Sequence, residues 1–215
     1  MTIRYFFMAP LLERLAQPAF LARLVAIILR VAAALIALLS LTIFFKVGKL
    51  TFELPTNRVL GGILFEVLFV MAIYATVHVL IIRARDIETL KSNDTYAISI
   101  TALLVKMAGE AYCGFMLFMS LGGGLFVWFT NQDLGDLLGP VVRALFPGAN
   151  NDPSFMSGIQ LIATGVLIGV GALVFAYAAA QVLSLLVRPP TRNGGSQQFP
   201  TADLNQTYRS RFGSG

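Results

Sequence analysis

GIQLIATGVLIGVGALVFAYAAAQVLSLLV, residues 158–187, runs for 30 residues without a charged side chain. A helix rises 1.5 Å per residue and the hydrocarbon core of a bilayer is about 30 Å thick, so about 20 mostly apolar residues cross it. The amphipathic helix of a soluble protein keeps a polar face toward water, and this stretch has none. It reads as a membrane span. In lipid a segment must satisfy its own backbone hydrogen bonds, and a continuous apolar run lacks the alternation of a barrel strand, so the span is predicted helical. Pro189 and Pro190 stand just beyond it, where a helix stops. Asp152, Pro153 and Ser154 are candidates to open it.

Three further stretches repeat the signal. They are VAAALIALLSLTIFFKV (31–47, extended upstream to about 23), VLGGILFEVLFVMAIYATVHVLII (59–82) and AYCGFMLFMSLGGGLFVWF (111–129, extended upstream to about 97). Ser92, Asn93, Asp94 and Thr95 precede the third span as candidate N-caps. The whole chain agrees: 215 residues, 57% hydrophobic and 13% charged, with mean hydropathy +0.77. A soluble domain carries about 25% charge and about 45–50% apolar residues. The expected fold is all-α, a polytopic membrane protein with a four-transmembrane-helix bundle at about 23–47, 59–82, 97–129 and 158–187. Residues 1–22 mix Phe6, Phe7, Leu11, Leu12 and Leu15 with Arg4, Glu13 and Arg14, which suits a segment lying in the headgroup region. Pro10, Pro18 and Glu13 precede the main apolar run and no small-residue cleavage pattern closes it, so this leader is read as retained. In the 130–157 connection, GPVVRALFPG suggests a short amphipathic turn at the membrane surface. Residues 188–215 are rich in Pro, Gly, Ser, Thr, Asn and Gln and are expected to be a flexible tail.

Lys and Arg counts orient the chain. The side with the N-terminus, the 83–94 connection and the tail holds 11, namely Arg4, Arg14, Arg23, Arg30, Arg83, Arg85, Lys91, Arg188, Arg192, Arg209 and Arg211. The other side holds 4, Lys46, Lys49, Arg58 and Arg143. Both termini are therefore expected in the cytoplasm, in a bacterial-type inner (plasma) membrane. The net charge of +5 would suggest nucleic acid in a soluble protein, but these residues flank apolar segments, so the bilayer surface is the expected partner and nucleic acid is not.

Catalytic and metal chemistry find little purchase. One cysteine (Cys113) and one histidine (His78) exclude an internal disulfide, a cysteine-based zinc or iron–sulfur site and a bis-histidine haem within one chain. The sequence has no GxxxxGK[ST], HExxH, GxSxG or CxxC. The chain is expected to be non-enzymatic and to carry no cofactor or metal.

An ionisable side chain inside a span costs about 2.5–3.5 kcal/mol on insertion scales, so each is a functional candidate. Glu66 lies seven residues inside the second span and must be protonated, hydrogen-bonded or paired with a neighbouring helix or subunit. Lys106 and Glu110 share one face of the third span at the inner interface. A hairpin turning near Ser92–Asn93 puts residue 78 level with 107, so a His78–Glu110 hydrogen bond is expected. Arg83, Arg85, Asp86, Glu88 and Lys91 read as a solvated hairpin tip. The small residues Gly165, Gly169, Ala172, Ala176 and Ala180, with Gly122–Gly124, allow close helix approach either within the chain or between subunits. Trp128, Phe126 and Phe129 fit an outer aromatic belt. Two functions follow. The first is an accessory, scaffold or anchor subunit of a homo- or hetero-oligomeric membrane complex. The second is an oligomeric ion or proton channel or transporter using Glu66 and the His78, Lys106 and Glu110 group.

Overall fold

A computed structural model describes residues 18–90, 96–132 and 153–187. Four long helices account for nearly all of them: α1 (Pro18–Glu53), α2 (Val59–Glu88), α3 (Tyr96–Thr130) and α4 (Phe155–Val187). All four are long and apolar enough to cross a bilayer, and the chain is an all-α, multi-pass membrane protein. The described residues contain no strand. The 1–17 leader, most of the 130–157 connection, the 91–95 turn with its candidate caps and the 188–215 tail lie outside the described residues.

Each helix packs on the next in chain order. α1 lies on α2, α2 on α3 and α3 on α4, while α1 barely touches α3. The bundle is therefore a row of antiparallel helices, with α1 and α4 as its edges. α3 buries 56% of its apolar window, whereas the windows of α1, α2 and α4 bury 22% or less. Most large side chains of the edge helices, such as Leu38, Leu39, Phe45, Leu167 and Phe175, point outward, as lipid-facing residues do.

Small residues set the spacing. Gly109 faces Ala176, Gly169 faces Met116 and the backbone of Cys113, and Gly124 faces Ile162 and the backbone of Gly158. Gly165, Gly169, Ala176 and Ala180 are buried on the α4 face that meets α3, with Ala172 half-buried beside them. These helices approach closely because no large side chain stands between their backbones. On α2, Gly62 accepts Thr51 of α1, and Gly61 accepts Phe129 and Thr130 of α3.

Two apolar cores result. The larger joins Val47, Phe65, Phe69, Ala72, Met116, Met119, Phe126 and Leu161. The smaller joins Ala22, Ala26, Leu29, Ala84, Ile87 and Ile100 at the end where α1 and α3 begin. That second core explains why α1 begins before, and α2 ends beyond, the predicted spans 23–47 and 59–82. Their helices continue past the bilayer boundary because Ala22, Ala26 and Ile87 still have apolar neighbours.

The helix ends carry specific devices. Ser154 and Ser157 cap one another at the start of α4: the Ser157 amide donates to Ser154 Oγ (3.1 Å) and the Ser154 amide to Ser157 Oγ (2.9 Å). Asn131, with φ 50°, ends α3 in the left-handed conformation, its amide donating to the Val127 carbonyl at 2.9 Å. Trp128 donates its indole N–H to the Phe155 carbonyl (2.9 Å) and stacks on the Phe155 ring at 5.0 Å, which joins α3 to α4 at this end.

Gly109→Val drives a branched side chain into Ala176 and is expected to lower stability by about 1–3 kcal/mol. Gly171→Ala meets open space and should change little. Unfolding in mixed micelles, with helicity as the readout, separates the two.

Candidate functional site

Among the described residues, Glu110 gathers the densest polar contacts. Arg83 of α2 grips it as a fork: Nε donates to Oε2 at 2.9 Å and Nη2 donates to Oε1. The remaining Arg83 nitrogen, Nη1, donates to Asp86 Oδ2 at 2.9 Å, one turn further along α2. From α4 the Tyr177 hydroxyl donates to Glu110 Oε1 at 2.5 Å. Lys106, one turn before Glu110, holds Nζ 5.3 Å from the centre of the Tyr177 ring, within range of a cation–π contact. Two cations and two carboxylates cancel, and the pair at the centre is mostly sheltered, with side-chain exposures of 23% for Arg83 and 18% for Glu110. Further out, Arg30 of α1 pairs with Glu88 at 2.7 Å on a more exposed surface. A belt of charge thus crosses α1, α2 and α3 and ends at Tyr177 of α4.

The depth of this belt follows from helix rise. Glu110 stands about 27 Å along α3 from Trp128, and Tyr177 about 33 Å along α4 from Phe155. Those distances match the hydrocarbon thickness of about 30 Å. The Trp128–Phe155 pair and the belt therefore mark the two boundaries of the apolar slab.

Several expectations need correction. His78 does not bond Glu110, whose oxygens are taken by Arg83 and Tyr177. The facing pairs Gly114–Ala75, Gly122–Leu68 and Gly61–Phe129 put residue 78 level with 111–112, not 107. The hairpin is not centred on Ser92–Asn93, because α3 begins about a turn and a half below the level where α2 ends. His78 instead lies exposed on the outer face of α2, stacked on Tyr74 with ring centres 5.6 Å apart. Arg83 is not part of a solvated tip, since α2 continues to Glu88 and turns Arg83 inward. Sequence reasoning missed Arg83 and Tyr177 as partners of Glu110. The available signal was the demand of a carboxylate for donors: Arg83 stands one residue beyond the predicted end of its span, and Tyr177 lies on the inner half of α4.

Glu66 stands apart from this group, about 25 Å from Arg83 along α2. Its carboxyl lies against Gly48 of α1, and Oε1 is buried without a hydrogen-bond partner. One turn away Thr51 Oγ1 is buried in the same condition. Between Glu66 and the belt the α2–α3 contact is apolar, with Phe69, Ala72, Met116 and Met119 all buried. Glu66 also borders a lipid-facing groove of about 320 Å³ with Phe44 and Val70. A second groove of about 380 Å³ continues from those two residues along the α1–α2 seam. Among the described residues no cluster of three His, Cys, Asp or Glu side chains is placed to hold a metal.

Removing one member of the Arg83–Glu110 pair strands the other in a sheltered site. Arg83→Met or Glu110→Leu alone is expected to cost about 2–3 kcal/mol. The double variant should cost less than the sum, because no charge is then left unpaired. Glu88→Gln, which breaks the exposed Arg30 pair, should cost under about 1 kcal/mol. A double-mutant cycle of micellar unfolding measures all of these.

No family model, curated protein or solved structure matches the chain.

Proposed function

We propose that this chain is a non-enzymatic integral membrane subunit, an accessory, scaffold or anchor chain of an oligomeric complex in a plasma (bacterial inner) membrane. The observation that carries the reading is the distribution of polar groups. Apart from Glu66, the charges at the slab are spent on one another at a boundary, where Arg83, Glu110, Asp86 and Tyr177 tie three helices together. Across the slab the seam between Glu66 and the belt is closed by buried apolar side chains, and Thr76 and Ser120 there donate to carbonyls of their own helices, so the described residues offer no file of polar groups for an ion or proton. A substrate site would need convergent reactive groups, and the sheltered cluster is self-neutralised and stabilising rather than open.

Both termini are assigned to the cytoplasm in this reading. The support is the excess of Lys and Arg on that side, 11 against 4. The conductor reading has one observation in its favour, the unpartnered Oε1 of Glu66. It requires further copies to complete a path.

Two measurements test the proposal. The gently solubilised protein should have a native mass above that of the 23.3 kDa chain plus its micelle, as homo-oligomer or with a stoichiometric partner. A monomer with no co-purifying protein would remove the subunit reading. Proteoliposomes should show no proton flux above lipid alone, for the native chain and for Glu66→Gln alike. Flux that the substitution abolishes would establish the conductor instead.

A further inference from the structure

The outer face of α2 holds a seam that no helix of this chain covers. Ile63, Val67, Val70, Tyr74, Val77 and Ile81 follow one another at alternating spacings of four and three. That period of 3.5 is the seam of a left-handed helix pair. All are exposed except Val77, which is half-buried. Beside the seam lies the 380 Å³ groove, where Ala37 and Ser40 leave α1 thin opposite Val70 and Tyr74.

Two polar rings stand on this face, Tyr74 within the apolar slab and His78 just inside its inner boundary. Tyr74 is 62% exposed, and it and His78 contact each other by stacking, with no hydrogen bond to either ring among the described residues. Tyr74 lies about 13 Å along α2 from Arg83 and about 18 Å from Gly62, whose level is that of Trp128. In the register of the facing pairs Tyr74 is about 8 Å inside the level of Glu110, and His78 about 2–3 Å inside it. Helical side chains lean toward the N-terminus of their helix. For α2 that direction runs away from the belt, so the Tyr74 hydroxyl does not reach back to the nearer water.

We propose that a second copy of this chain covers this face, α2 against α2 in a parallel pair about a two-fold axis normal to the membrane. In the pair, the Tyr74 hydroxyl of each copy donates to a ring nitrogen of His78 in the other. The argument for a second copy is self-complementarity. The face carries a hydroxyl that can donate and an imidazole nitrogen that can accept, a turn apart, and a two-fold axis makes both bonds at once. Copies inserted with the same topology are parallel, as the pairing requires. The seam and the groove beside it supply the close packing on which helix association in lipid depends. The inference rests on the reading of the chain as an oligomer subunit and names the surface.

Cysteine crosslinking of the full chain in phosphatidylcholine–phosphatidylglycerol vesicles tests it, in a Cys113→Ser background. Val70→Cys should give a covalent homodimer under mild oxidation, and Leu167→Cys, exposed on α4, should not. Energy transfer between labelled chains, read against the protein-to-lipid ratio, should show dimerisation weakened about ninefold in Tyr74→Phe, from two interhelical hydrogen bonds at about threefold each. His78→Phe should match it, and the double variant should lose nothing more. No homodimer at Val70→Cys, or Tyr74→Phe dimerising as the parent does, overturns the proposal. Crosslinking of Val70→Cys to a different stoichiometric protein overturns it while leaving the subunit reading intact. A monomer surrounded by lipid alone overturns both.

Discussion

The Arg83–Glu110 fork is the constraint on which the arrangement of three helices depends. A carboxylate at the edge of hydrocarbon must find donors, and here two come from α2 and one from α4. Small residues allow α3 and α4 to approach, but a stripe of glycine and alanine tolerates sliding by a turn. A bidentate ion pair does not, because its donors fit both oxygens in one geometry. The fork thus fixes the height of α2 against α3, and Tyr177 fixes α4 against both. The register read from Gly114–Ala75 and Gly169–Met116 is the one in which these contacts close.

The row arrangement has consequences for polarity. In a closed bundle every helix hides one face from lipid. Here α1 and α4 each have a single close neighbour, so polar groups on their open faces would meet hydrocarbon. The sequence obeys this. α4 carries no charge at all, and its outward residues include Leu167, Val174 and Phe175. On α1 the charges Arg30 and Lys46 bracket about 24 Å of uncharged helix, close to the slab thickness. α2 breaks the pattern with Glu66, Tyr74 and His78, and it is the helix on which unmet hydrogen-bonding groups concentrate.

Fold class and helix number were legible because a bilayer imposes them through length and hydropathy alone. The four runs needed no knowledge of packing. Register was not legible, and the site went with it. The expected His78–Glu110 bond assumed a symmetric hairpin, whereas α3 begins lower than α2 ends because the Ala22, Ala26 and Ile100 core holds those helices together beyond the slab. The helix face decided the partner as well: Glu110 is level with residues 79–80, but His78 faces outward and the longer Arg83 side chain reaches the carboxylate from the inner face of α2. The choice left open for Gly165 and Gly169 also needed three dimensions, since a glycine stripe looks the same from sequence whether the neighbour is Met116 of the same chain or another subunit. Glu66 was legible as an anomaly. Its buried, unpartnered oxygen keeps it one in the fold.

Exposed leucine and phenylalanine carry little information about assembly in a membrane, because lipid tails solvate them as well as another helix would. The informative surface is the one that lipid solvates badly. Among the described residues, apart from the exposed belt pairs, which reach headgroup depth, the candidates are few: Glu66 on the outer half of α2, Tyr112 close to the belt, and the Tyr74–His78 stack on the inner half of α2. Glu66 is half-enclosed by α1 and can meet its need by binding a proton. The stack has no such escape, since a tyrosine hydroxyl and an imidazole remain polar when neutral. The pressure to recruit a partner is therefore greatest on the outer face of α2, beside the groove that Ala37 and Ser40 open in α1. A scaffold chain whose own bundle is a row, with its remaining polar need confined to one face, is suited to building outward from that face.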